Sequence, residues 1–107
     1  MLRYNYNVVV DQLFFEWDPA KAAANRRKHG VSFDEAQTSF ADERALLIHD
    51  PDHSDDEDRF VLLGLSSSLR TLVVSHCYRS GGDVVRIMSA RRADRREQRL
   101  YIQRWSP

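Results

Sequence analysis

A single cysteine, Cys77, with four glycines and three prolines in 107 residues, leaves this chain few of the usual devices for stapling or bending a backbone. One thiol cannot form an internal disulfide, which excludes a disulfide-dense secreted module and fits a reducing, cytosolic setting. No apolar run approaches the length of a membrane span, so no membrane partner is expected. The opening Met1-Leu2-Arg3-Tyr4-Asn5-Tyr6 lacks the basic-then-apolar order of a secretion signal. Also missing are a glycine-rich nucleotide loop, a Ser/His/Asp arrangement and a Cys/His pair with recognisable spacing. Repeats, low-complexity tracts and linkers are absent as well.

What is present is charge, unevenly placed. Hydrophobic residues make up 42% and charged residues 30%, a balance that suits a folded domain rather than a disordered tail. The length supports one core, so residues 1–107 are read as a single domain. Net charge is zero, yet residues 34–58 hold ten acids against Arg44 alone. Residues 86–107 hold seven arginines against Asp94 and Glu97, and Arg26-Arg27-Lys28-His29 forms a smaller basic knot. Such asymmetry suits one pole of the molecule to a polyanion. The plainer alternative is that the acidic segment neutralises the basic helix internally.

The pattern along the chain predicts an α+β domain. Val8-Val9-Val10 fits a short edge strand or a loosely held extension. Phe14-Phe15-Glu16-Trp17 has strand character and ends at Asp18-Pro19, a cap followed by a residue at home in a first helical turn. The helix that follows should stop at Gly30, with cations in its last turn where the helix dipole favours them. Ser32-Phe33-Asp34-Glu35 reads as a capping box, and Phe33, Ala36 and Phe40 recur at helical spacing, which gives an N-terminal helical hairpin. Ala45–His49 is a strand stopped by Asp50-Pro51. Arg59–Leu65, Thr71–Tyr78 and Asp83–Ser89 form an antiparallel meander joined by Ser66-Ser67-Ser68 and Ser80-Gly81-Gly82. The first two of these are almost continuously apolar, as strands inside a sheet should be. Ser89 then caps a C-terminal helix expected over Arg91–Arg104.

That reading puts Arg91 and Arg92 where the last strand hands over to a helix N-terminus, a rigid place to hold a phosphate. Arginines 95, 96 and 99 on the helix need no role beyond a solvated face. Cations at the end of the first helix are likewise explained by the dipole, although His29 beside Gly30 marks a loop entry. The stretch His49–Glu57 offers two histidines and several carboxylates, a set that zinc or manganese accepts. It lacks a recognised ligand spacing, so a solvated acidic loop is the simpler reading and neither metal nor cofactor is expected.

A candidate chemistry remains. Lys28, His29, Arg59, Arg91 and Arg92 are cations on elements that a meander can bring together. RNA carries its own nucleophile, the 2′-hydroxyl, so cleavage needs a base, charge stabilisation at the phosphate and help for the leaving 5′-oxygen. Arginine forks match phosphate oxygens. Histidine is the side chain suited to proton transfer near neutrality, and His29 is the one in the set.

An ordered series of motifs adds to this: Phe15-Glu16-Trp17-Asp18-Pro19, Lys28-His29-Gly30-Val31, the Phe33/Ala36/Phe40 pattern, Asp50-Pro51 through His53-Ser54 and Glu57 to Arg59, and Ser89-Ala90-Arg91-Arg92-Ala93. From about Phe14 to Tyr101 the chain closely resembles the BrnT toxins of bacterial type II toxin–antitoxin systems. The resemblance implies a RelE-like fold and an endoribonuclease that stalls translation and arrests growth. It implies neutralisation in a hetero-oligomer by a BrnA-type, DNA-binding antitoxin, through which alone the toxin meets operator DNA. Carried over by position, Arg91 and Arg92 bind the scissile phosphate, Arg59 joins them, and Lys28-His29 supply charge or proton transfer. Residues 1–13 precede the family's usual start. Ser66-Ser67-Ser68-Leu69-Arg70 lacks the glycine expected before its arginine. The rival reading is a non-catalytic module whose arginine face holds an acidic protein or nucleic acid.

Overall fold

Asp18 and Pro19 open the first helix as their chemistry requires. The Asp18 carboxylate accepts from the Ala20 N–H at 2.8 Å, and Gly30 closes the helix in the left-handed region at φ 71°. The computed structural model describes residues 2–4, 13–53 and 57–105, so Val8–Val10 and part of the acidic loop lie outside the described residues. Six strands, β1 (Leu2–Tyr4), β2 (Leu13–Glu16), β3 (Leu46–Asp50), β4 (Arg59–Leu65), β5 (Thr71–Arg79) and β6 (Val84–Arg92), form one sheet in the order β1-β2-β6-β5-β4-β3. The predicted antiparallel meander is β4 to β6, and β3 extends it antiparallel to β4. The periodicity gave no sign that β2 would join β6 in parallel, Phe15 opposite Val85. Helices α1 (Pro19–His29) and α2 (Phe33–Thr38) fill the link between β2 and β3, and α3 (Arg95–Gln103) follows β6. No helix of the described residues is long and apolar enough to cross a membrane.

Side chains alternate along each strand, so the sheet has two faces. The first, under α1 and α2, is sealed: Phe15, Val31, Phe33, Leu72, Val74, Val85 and Ile87 are all at most 1% exposed. Asn25 fastens α1 to this face. Its amide donates to the carbonyls of Val31 (3.0 Å) and Ala90 (2.8 Å) and accepts from the Ala90 N–H (3.0 Å), a three-bond clasp of which two bonds hold β6 and one holds the link to α2. The second face is covered at one end only. There α3 packs Tyr101 with Ala93, Leu63 and Val73, and the Tyr101 hydroxyl donates to Asp42 at 2.6 Å. Asp42 also accepts from the Leu65 N–H at 2.8 Å, so one carboxylate ties α3 to β4. Burial, with Asp42 beside it, pushes the Tyr101 phenol up to about 12.

The C-terminal junction differs from the sequence expectation. Ser89 is not a helix cap; it pairs with Ser75 in the ladder, and β6 continues through Arg91 opposite Val73 and Arg92 opposite Leu72. The long β5 offers ladder partners that far, and extended pairing wins over helix initiation. Asp94 caps α3 instead, its carboxylate accepting from the Glu97 N–H while Glu97 accepts from the Asp94 N–H, both at 2.8 Å. The helix therefore opens at Arg95, and the arginine pair belongs to a strand. The other capping box is half made. Ser32 accepts from the Glu35 N–H at 3.0 Å, but the Glu35 carboxylate takes Arg70 and the Ser66 hydroxyl instead.

Candidate active site

As consecutive strand residues, Arg91 and Arg92 emerge on opposite faces of the sheet. Arg92 shares the helix-covered side with Leu72 and Ala90, and its charge helps hold the Glu35 carboxyl below its ordinary range, behind the stronger hydrogen bond from Arg70. Arg70 also donates to the Gly30 carbonyl at 3.1 Å, so Lys28 and His29, the residues before Gly30, border the same neighbourhood. The five cations singled out in the sequence thus divide. Lys28, His29 and Arg92 lie on the side of α1 and α2, while Arg59 and Arg91 lie on the open face.

On that open face the rows of the sheet can be read across. Asp50, Arg59, Cys77 and Arg86 form one row, Ile48, Val61, Ser75 and Ser89 the next, and Leu46, Leu63, Val73 and Arg91 the third. The third row runs under α3. Members of all three rows line a trough composed of two joined cavities. One, of about 310 Å³, is bounded by Lys21, Asp50, Arg59, Ser75, Met88 and Ser89. The other, of about 400 Å³, shares Asp50, Ser75 and Ser89 and adds Val61, Val73, Arg91 and Glu97. Each is large enough for a nucleotide-sized group, and Lys21, Arg59 and Arg91 bring positive charge to the two.

Arg91 is already engaged. Its two terminal nitrogens donate to the two Glu97 oxygens, each at 2.8 Å, the bidentate geometry that a phosphate also accepts. This contact holds the Glu97 carboxyl below its ordinary value and raises the Arg91 guanidinium. Arg91 nonetheless keeps 43% of its side chain exposed, against 26% for Glu97, so an incoming anion can reach it. Two carboxylates, Asp50 and Glu97, border the trough, whereas His29 ends α1 on the far layer.

His49 also borders the second cavity. Its ring lies against Phe60, 5.2 Å between centroids, and its Nε2 is 3.3 Å from Asp58. Among the described residues no three His, Cys, Asp or Glu side chains converge as a metal ligand set. Lys21, Asp50, Ser75, Ser89 and Glu97 are not among the site residues read from the sequence, where Ser89 reads as a helix cap and Asp50 as part of the acidic loop. A signal existed for two of them: Ser75 and Ser89 interrupt apolar strands at positions that share a face. Glu97 was visible only as the fourth residue of Asp94-Arg95-Arg96-Glu97, a capping pattern.

Comparison with known proteins speaks to the family and the fold. The family described as "Ribonuclease toxin, BrnT, of type II toxin-antitoxin system" matches residues 17–97, a span that contains every residue lining the trough. Among solved structures, the ribonuclease toxin BrnT of Brucella abortus aligns with a TM-score of 0.58 and 21% identity, covering 78% of this chain and 99% of that one. At that identity the likeness speaks for the fold. No curated protein matches the chain.

Proposed function

The chain belongs to the BrnT family of ribonuclease toxins of type II toxin–antitoxin systems, and from that premise we propose that it cleaves RNA without a metal in the open trough. The observation that carries this reading is the placement of Arg59, Arg91 and Lys21 around one accessible floor, a cationic cleft on rigid strands. An RNA phosphate seated there meets guanidinium forks that gain strength as negative charge builds in the transition state. The 2′-oxygen attacks the adjacent phosphorus, the P–O5′ bond breaks, the departing 5′-oxygen takes a proton from water, and a 2′,3′-cyclic phosphate and a 5′-hydroxyl result. The proton from the 2′-hydroxyl goes to Asp50 or Glu97, the carboxylates of the trough. Lys28, His29 and Arg92, on the other side of β6, guide the flanking strand by charge.

The biological reading follows the family. Cleavage of cytoplasmic RNA halts translation and arrests growth, and the arrangement of sheet and helices is RelE-like. A BrnA-type antitoxin, itself DNA-binding, neutralises the toxin in a hetero-oligomer by covering the arginines, and operator DNA is met only through it. One observation favours the rival, a non-catalytic module: Glu97 already neutralises Arg91.

Purified chain incubated with RNA in EDTA separates the two. Cleavage should persist in chelator, and Arg59→Ala or Arg91→Ala should lower the rate on the order of a hundredfold or more while the variants stay folded. Activity lost in EDTA and restored by zinc or manganese overturns the metal-independent mechanism. RNA left intact by a chain that does not arrest growth selects the module.

A further inference from the structure

The floor of the trough holds two residues that a sheet interior does not call for. Ser75 and Ser89 are direct register partners on neighbouring central strands. Each is half-buried, and their row continues through Val61 to Ile48 as apolar surface. Central strands favour β-branched and aromatic residues at such positions. Among the described residues neither hydroxyl makes a hydrogen bond. Two donor–acceptor groups stand side by side, unoccupied, on a floor otherwise suited to valine.

A third group joins them because of an irregularity in the sheet. The ladder slips between Ser75 and His76, which leaves Met88 as the extra residue of a β-bulge. Pairing of β2 with β6 ends at Arg86, so past that point, among the described residues, no strand covers that edge of β6. There α1 lies alongside, and Lys21 from its first turn borders the same cavity as Ser75, Ser89 and Arg59.

We infer that Ser75, Ser89 and Lys21 form a second sugar-phosphate subsite for the RNA strand, beside the scissile phosphate, and that this contact sets the register of the strand in the trough. The inference rests on the RNA-cleavage reading of that trough. The hydroxyls suit a phosphate oxygen or a ribose hydroxyl equally, since each both donates and accepts. The lysine adds a point charge without the geometric demand of a guanidinium.

The test uses full-length chain, measuring cleavage of single-stranded RNA and, by anisotropy, binding of a 2′-fluoro RNA that lacks the nucleophile. The double variant Ser75→Ala with Ser89→Ala should weaken binding about tenfold and raise KM in step, with kcat changed less. Lys21→Gln should reduce the slope of log affinity against log salt by about 0.7, one phosphate contact on a single strand. Ser75→Val suits the strand better while filling the floor, so the melting temperature should hold or rise as binding is lost. In a chain that cleaves RNA, folded variants with the wild-type KM, affinity and salt slope overturn the subsite. A fall in melting temperature with binding intact also overturns it, by assigning the serines to the scaffold. A wild-type chain that neither cleaves nor binds RNA fails at the earlier step and overturns the function itself.

Discussion

The two faces of this sheet use the same strands for opposite purposes. Beneath α1 and α2 the side chains are closed off so thoroughly that even His76 has no exposure. Its ring is set among Phe40, Phe60 and Tyr78. Burial pushes its imidazole down to about 4, so it stays neutral in the fold. On the reverse, α3 shelters one end and leaves arginines, serines and carboxylates in contact with water. Arg91 and Arg92 make the contrast in two consecutive positions, one beside Glu97 on the open face and the other on the helix side. The two roles are separated by a single-residue alternation, so a slip of one residue in register would exchange them.

That contrast can be broken most severely at the clasp holding α1 down. Asn25→Ala removes three hydrogen bonds and leaves the buried Ala90 peptide unsatisfied. We expect a loss of roughly 4 kcal/mol and a melting temperature lower by about 15 °C. Calorimetry checks this, and a change of only a degree or two would show that the clasp is dispensable. The covered face should tolerate no such loss, whereas Ser75→Ala on the open face should melt like the wild type.

Acid should also act through the covered face first. The folded pKa of His76, about 4, lies below its ordinary 6.5. Its contribution is therefore fully present above pH 6.5 and is lost as pH falls from 6.5 toward 4, because the unfolded chain takes up the proton first. The whole effect is about 3 kcal/mol. The carboxyls of Glu35 and Glu97, held low by Arg70 and Arg91, give way only below their ordinary 4.5, which leaves the interval between to the histidine. Urea midpoints at pH 7 and pH 4.7 test this; equal values would contradict the burial argument.

The smallest effect belongs to the β4–β5 turn, outside both faces. Leu69 adopts φ 62° with 80% of its surface exposed, a left-handed conformation that a branched side chain resists. Leu69→Gly should stabilise the chain by about 0.5–1 kcal/mol, the strain relieved less the added freedom of the unfolded chain. Denaturant midpoints would show it, with RNA cleavage unchanged. Lower stability would mean that the leucine makes up its strain elsewhere.

Much of the architecture was legible in advance. The bounds of β4, the Asp18-Pro19 start and the Gly30 stop are local signals, and each holds in the fold. The Ser66–Arg70 turn, short of its expected glycine, puts Leu69 into that role. Less legible was the end of β6. Ser89 and Asp94 are both acceptable caps by composition, and only the reach of β5 decides that the strand continues to Arg92. The five cations, grouped as charges on elements that a meander can bring together, divide for the same reason: Arg59 and Arg91 share the trough, whereas Lys28, His29 and Arg92 lie on the side of α1 and α2.

The amino-acid order by itself determined most of the elements, the charge asymmetry and the family, because caps, alternation and ordered motifs act over a few neighbouring residues. Only tertiary structure decided which cations meet. The pairing of β2 with β6, the bulge at Met88 and the seat of α3 bring Lys21, Arg59, Ser75, Ser89 and Arg91 together from positions up to 70 residues apart. Long-range pairing is settled by the packing of whole faces, and no short window of sequence contains it.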